Sequence, residues 1–135
     1  MEKPIGCVLI LSDSRDRILL VLRDNKASIP FPNTWNLLGG FLEKEESADA
    51  CIRREIREEI EIELPDIVLF REYDWDDCYE YIFWQRMDLN LARVVLNEGQ
   101  ALRYFSKPEI DRMVLAFQCH QVIDDFFGTV LNQRV

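Results

Sequence analysis

Three glutamates, Glu55, Glu58 and Glu59, fall in a stretch whose pattern predicts a helix over Ser47–Glu61, uninterrupted by Gly or Pro and followed by Pro65. At 100° per residue Ala48, Cys51 and Ile52 share one face. Continued toward the C-terminus, that face brings Glu55, Glu59 and, at its edge, Glu58. A stripe that should go on burying apolar groups turns acidic. Like charges at i,i+3 and i,i+4 oppose one another by ~0.2–0.5 kcal/mol per pair in water, and by more when partly buried. Converging carboxylates at these spacings suit a hard divalent cation, Mg2+ or Mn2+, which prefers oxygen ligands and keeps waters to exchange for phosphate oxygens. The competing reading is a solvated acidic face balanced by Arg53, Arg54 and Arg57 through ordinary i,i+4 pairs.

The residues upstream bear on that choice. Gly40 is followed after five residues by Glu46 and after seven more by Arg54-Glu55-Ile56, then by Glu58-Glu59 and Glu61-Ile62. This resembles the Nudix box, G-x5-E-x7-R-E-U-x-E-E-x-G-U with U aliphatic, at eight of its nine specified positions. The departure is Glu61, where the family usually has Gly to end the catalytic helix. The approach Trp35-x-x-x-Gly39-Gly40 is also similar to the family's run into the box, and Glu98-Gly99-Gln100 is similar to a loop that in MutT-type members delivers a further acidic ligand.

The resemblance implies an α/β fold, an α/β/α sandwich with a mixed β-sheet, and hydrolysis of a phosphoanhydride in a nucleoside diphosphate linked to another group. A nucleoside triphosphate, a nucleotide sugar and a dinucleotide are all possible substrates. It implies metal ligands from Glu55, Glu58, Glu59, Glu98 and the Gly40 carbonyl, with Gly39 and Gly40 forming a tight turn before the helix. The general base comes from Glu55, Glu58 or Glu98, and Glu46 and Arg54 form a structural pair holding the loop onto the helix. Gly39, Arg23 and Trp35 are candidate substrate contacts. Arg23 ends the second apolar run, and Trp35, like Phe31, Trp75 and Tyr79, offers a face on which a base could stack. The stretch Gln118-Cys119-His120 lacks the Asn by which MutT-type members read oxidised guanine. The alternative is a Nudix-related sensor or scaffold that binds a nucleotide without cutting it.

These residues must be held by a modest frame. The chain has 135 residues, 48% hydrophobic and 30% charged, which suits one domain over 1–135 that needs no metal staple to fold. A net charge of −9 repels nucleic acid backbones and anionic membranes, so the expected partner is a small nucleotide, with no polymeric nucleic acid and no membrane. A homodimer is compatible with the family. Apolar runs at Ile5–Leu11 and Ile18–Leu22 read as strands around a polar turn, and a loop follows over Arg23–Thr34 with Pro30 and Pro32 inside it. Trp35–Leu38 reads as a short strand, and Ile67–Trp75 with Cys78–Met87 as a hairpin. Leu91–Leu96 reads as a further short strand, Asn97–Gln100 as a turn and Ala101–Phe105 as a strand. Ser106 with Glu109 forms a capping box, and a last amphipathic helix is expected over Leu115–Phe127. The four cysteines, with no C-x-x-C and one His, read as small buried hydrophobes with reduced thiols, consistent with a cytoplasmic protein.

Overall fold

The computed structural model describes residues 3–131. Strand β1 (Ile5–Ser12) runs through the middle of a seven-stranded sheet, next to β6 (Tyr79–Arg86) on one side. On its other side it pairs with β4 (Leu38–Phe41) over Gly6–Leu9 and meets β2 (Ile18–Leu22) at Ser12. Strand β2 carries β3 (Trp35–Asn36) and β7 (Ala101–Phe105), and β5 (Val68–Asp74) closes the far side against β6. Every pairing is antiparallel except β1 with β6, so the sheet is mixed.

The continuous apolar runs of β1 and β2 follow from burial on both faces. With side chains alternating along a strand, Cys7, Leu9 and Leu11 of β1 and Leu19 of β2 pack toward α1 (Ala48–Ile60) with Cys51, Ile52, Ile56 and Ile60. Ile10, Ile18 and Leu20 face the other way, toward α3 (Cys119–Thr129) with Val122, Ile123 and Phe126. The result is the α/β/α sandwich expected from the resemblance. No described helix is long and apolar enough to cross a membrane.

Helix α1 starts at Ala48, one residue inside the expected span, with the Ser47 side chain capping it by accepting from the Ala50 N–H. It ends at Glu61, which takes the left-handed conformation, φ 57 and ψ 39. The glutamate thus adopts the backbone that Gly would supply, at a cost of ~1 kcal/mol for an L side chain. The short helix α2 (Lys107–Ile110) has the predicted capping box of Ser106 and Glu109.

Four local expectations are corrected. Gly39 and Gly40 do not make a tight turn: both lie in extended β4, opposite Val8 and Cys7 of β1, and the chain turns later, before Ser47. Leu91–Leu96 is not a strand. Asn90 accepts from the Ala92 N–H and winds Leu91–Arg93 into a 3₁₀ turn, while Leu91, Val94 and Leu96 pack against the α1-side core. The last helix begins at Cys119 rather than Leu115, because Ala116 donates its N–H to the Trp35 carbonyl and Phe117 has φ 51. The cysteines are not all free thiols. The period-two face of β1 and the buried face of α1 bring Cys7 and Cys51 together as a disulfide, with Cα atoms 6.5 Å apart, while Cys78 and Cys119 are free. Cysteine usage therefore gives no argument for a reducing compartment.

Candidate active site

The site is built where β4 passes under the C-terminal half of α1. A Cβ on Gly40 would lie 2.2 Å from Glu55 Cδ and 2.4 and 2.5 Å from its carboxylate oxygens, so any larger residue would push this carboxylate out of its place. A Cβ on Gly39 would lie 2.2 Å from the Cys7 carbonyl oxygen, so this residue too is fixed by close packing, here against β1.

Glu59 is 8% exposed and lies near the Gly39 backbone N–H, while its Oε2 is buried with no hydrogen-bond partner. Burial, followed by the charges of Glu55, Glu98 and Glu58, pushes its carboxyl up to about 8. Burial is also the largest influence on Glu55, whose pKa is raised although Arg54 opposes the shift. Glu58, 55% exposed, stands at the rim. Four carboxylates from two separate segments thus sense one another, the condition that a divalent cation relieves.

Arg54 holds this group together. Its guanidinium donates from Nε to Glu46 at 2.7 Å, from Nη2 to Glu46 at 3.0 Å and to the Phe41 carbonyl at 3.1 Å, and from Nη1 to Glu55 at 2.9 Å and Glu58 at 3.2 Å. Hydrogen bonding to Arg54 takes the Glu46 carboxyl down to about 2. Among the described residues no three His, Cys, Asp or Glu side chains already stand at metal-holding distances. The geometry explains why: Glu55 and Glu58 lean on Arg54 while Glu59 and Glu98 do not.

The donor set nevertheless fits Mg2+ or Mn2+. It consists of oxygen atoms, one buried carboxylate oxygen is without a partner, and the β4 backbone at Gly40 comes in close to the Glu55 carboxylate. Glu55, Glu58, Glu59, Glu98 and the Gly40 carbonyl are the groups that would hold such an ion.

Asn97, which the sequence places only in a turn, has a role that no local pattern shows. Its backbone N–H donates to the Glu59 carbonyl at 2.8 Å, and its Nδ2 donates to the Glu58 carbonyl at 2.9 Å and to Glu61 Oε2 at 3.0 Å. It satisfies the last turn of α1 and ties Glu98, the next residue, to the helix that carries the other glutamates. Glu61 is one of its partners, so the departure from the box pattern feeds the latch. Gln100 ties the same loop to the long one, donating to the Arg23 carbonyl at 2.8 Å and to Asn33 Oδ1 at 2.9 Å.

Two cavities meet here. The smaller, about 220 Å³, is lined by Glu59, Glu98, Gly39, Gly99, Arg23 and Asn36. The larger, about 510 Å³, shares Arg23, Asn36 and Gly39 and runs on past Gly40, Phe31, Trp75, Glu80, Phe117 and Gln118. The Arg23 Nε donates to the Pro30 carbonyl at 3.0 Å, and its guanidinium lies 5.2 Å from the Phe117 ring centroid. Phe117 and Phe31 pack with centroids 4.7 Å apart, and both have positive φ, 51 and 49, a strained arrangement for side chains that remain half exposed. Trp35 is not brought to either cavity. It packs edge-on against Phe105, centroids 4.8 Å apart, in the α3-side layer. Tyr79 is likewise elsewhere, donating to Glu72, and the His120 Nε2 lies 2.7 Å from the Met113 carbonyl.

A mixed sheet between two helical layers, with a glutamate-bearing helix end opening on paired cavities, defines the class: an α/β/α sandwich with an acidic cleft. The chain belongs to the NUDIX domain family, whose model matches residues 2–124. It is similar to Nudix hydrolase 19, chloroplastic, of Arabidopsis thaliana, 28% identical over 81% of this chain and 26% of that protein, so it spans about a quarter of that relative's length. Among solved structures it is similar to the NUDIX domain of Shewanella oneidensis NrtR complexed with ADP ribose, at 20% identity and TM-score 0.76 over 92% of this chain and 86% of that one. It also matches a MutT structure from work on Aliivibrio salmonicida and Vibrio cholerae, at 19% identity and TM-score 0.78 over 94% and 98%. At these identities the structural likenesses establish the fold.

Proposed function

We propose that the protein hydrolyses a phosphoanhydride in a nucleoside diphosphate linked to another group, with Mg2+ or Mn2+ as its cofactor. The observation that carries this reading is the buried Glu59 carboxylate, one oxygen without a partner, which feels the charges of Glu55, Glu58 and Glu98 and with Glu98 lines a cavity that shares Arg23, Asn36 and Gly39 with a larger one. A divalent ion held there would neutralise charge on the diphosphate and lower the pKa of a bound water. Arg23 and the Gly39 backbone, common to both cavities, support binding of the diphosphate between the glutamates and the nucleoside. Glu46 and Arg54 orient Glu55 and Glu58 rather than touch substrate. Glu55, Glu58 and Glu98 are the candidate general bases. Of these, Glu55 has its pKa raised by burial, the direction a base near neutrality requires. The NrtR domain's ADP ribose makes nucleotide-linked diphosphates, ADP ribose among them, the first substrates to try.

The test is a panel of nucleoside triphosphates, nucleotide sugars, ADP ribose and dinucleotides, incubated with Mg2+ and followed by release of phosphate or nucleoside monophosphate. Turnover that falls at least about 100-fold in Glu59→Gln with the fold intact supports hydrolysis. Binding across the panel without turnover supports a nucleotide-binding domain instead.

A further inference from the structure

The larger cavity contains an ionisable group that the hydrolysis chemistry leaves unused. Glu80 lies on β6 opposite Gly6 of β1, half-buried in the cavity wall. Among the described residues no ion pair engages it, although Arg23 lines the same cavity. Burial raises its pKa, the Trp75 indole lowers it and Asp77 raises it. The Trp75 Nε1 donates to Glu80 Oε1 at 2.8 Å. Its ring stacks on Tyr73, centroids 4.9 Å apart and planes 4° from parallel, and Tyr73 donates to Asp125 Oδ2 on α3 at 2.7 Å. The carboxylate is therefore held through a chain anchored on another layer of the fold. Its second oxygen, Oε2, lies beside Gly6, where a Cβ would stand 3.8 Å away, and no described donor bonds it.

We infer that Glu80 is a specificity-determining residue of this cavity and that its carboxylate selects a nucleobase presenting two adjacent N–H donors, the edge of guanine. This deepens the hydrolase reading and rests on the larger cavity's taking the nucleoside. At about 510 Å³ the cavity is of the size small-molecule sites use. Val8, Leu37 and Val122 supply apolar wall, and Phe31 and Phe117 supply ring faces. An ionised carboxylate only accepts hydrogen bonds. Adenine, cytosine and uracil each set an acceptor beside a donor on the Watson–Crick edge, so one carboxylate oxygen would face a lone pair. Guanine offers N1–H and the N2 amino group side by side. Hydrogen bonds to a charged acceptor are the strong ones, and leaving a partly buried acceptor unpaired is costly.

The experiment compares binding of GMP, IMP and AMP to the whole protein in EDTA by calorimetry, then kcat/KM for GTP, ITP and ATP with Mg2+. IMP lacks the N2 amino group and is otherwise the same base. The wild type should bind GMP at least 10-fold more tightly than IMP or AMP, and Glu80→Gln should narrow that gap to threefold or less. Equal binding of GMP and IMP by the wild type overturns the inference and needs no variant to fold. A GMP preference that survives in folded Glu80→Gln overturns it as well. GMP preference with no turnover of any substrate in the wider panel of triphosphates, nucleotide sugars, ADP ribose and dinucleotides supports the base reader and removes the hydrolase, while turnover indifferent to the base does the reverse.

Discussion

Replacing Glu59 by Gln removes one buried charge while keeping the side chain's shape, and it isolates what that charge does to the fold. Burial and the neighbouring glutamates move its carboxyl from an ordinary 4.5 to about 8. The folded pKa lies above the unfolded one, so Glu59 adds stability that is whole below pH 4.5 and is lost as the pH rises through about 8. Three and a half pH units at about 1.4 kcal/mol each give an upper figure of about 5 kcal/mol. Relaxation and water entry soften buried ionisation, and part of the change is complete by pH 5, so a loss of about 2–4 kcal/mol between pH 5 and pH 9 is expected in EDTA. Each kcal/mol corresponds to about 3–5 °C in Tm for a domain of this size. Urea and thermal unfolding at pH 5, 7 and 9 measure the effect. Glu59→Gln should lose less than half as much across that range and be the more stable protein at pH 9. Saturating Mg2+ at pH 9 should raise the wild type by about 3 kcal/mol at 100 times Kd and leave the variant nearly unmoved. Parallel pH curves for the two proteins, or equal stabilisation by Mg2+, would refute the assignment of a buried, metal-responsive carboxylate.

Gly40→Ala puts a Cβ within 2.5 Å of the Glu55 carboxylate. The far end of a side chain can yield, so the fold should survive with a loss of about 1–3 kcal/mol while turnover drops more than 10-fold; unchanged kinetics would show that Glu55 need not stand where it does. Asn97→Ala removes two side-chain hydrogen bonds at the end of α1 and should cost about 1–2 kcal/mol and weaken Mg2+ binding, as followed by unfolding titrations with and without the ion. Glu61→Gly relieves the left-handed strain but loses the bond from Asn97, so its stability should stay within about 1 kcal/mol of wild type; a loss above 2 kcal/mol would mean the latch matters more than the backbone. The Cys7–Cys51 bond closes 44 residues, for which loop entropy predicts about 4 kcal/mol, seen as a fall in Tm on reduction. Thiol titration of the unfolded, unreduced protein should find two free cysteines, and four would refute the bond.

What the sequence could say about the site depended on how near in the chain its parts lie. The acidic face of α1 is local: a 3.6-residue period and the glutamates' spacing fix it before any tertiary contact forms. The capping boundaries at Ser47 and Ser106 are local for the same reason, as is the turn carrying Glu98. The two-faced burial of β1 and β2 was legible as unbroken apolar runs, which alternate strands of a one-sided sheet do not have. The errors fall where a distant partner decides. Leu91–Leu96 has strand-like composition but packs its apolar side chains on the α1-side core from a 3₁₀ turn, and Leu115–Phe117 is drawn out of the helix by the Trp35 carbonyl.

The amino-acid order by itself determined the family, the glutamate-bearing helix and the chemistry its carboxylates favour, because each is written within about twenty consecutive residues. Only the tertiary structure decided that Gly40 is the clearance for Glu55 and that Asn97 clamps the Glu98 loop. It alone joined Cys7 to Cys51, withdrew Trp35 into the core and set Glu80 in the wall of the larger cavity. Those relations cross 15 to 70 residues of chain, and a sheet that interleaves its strands out of sequence order brings them together by packing, which no local pattern encodes.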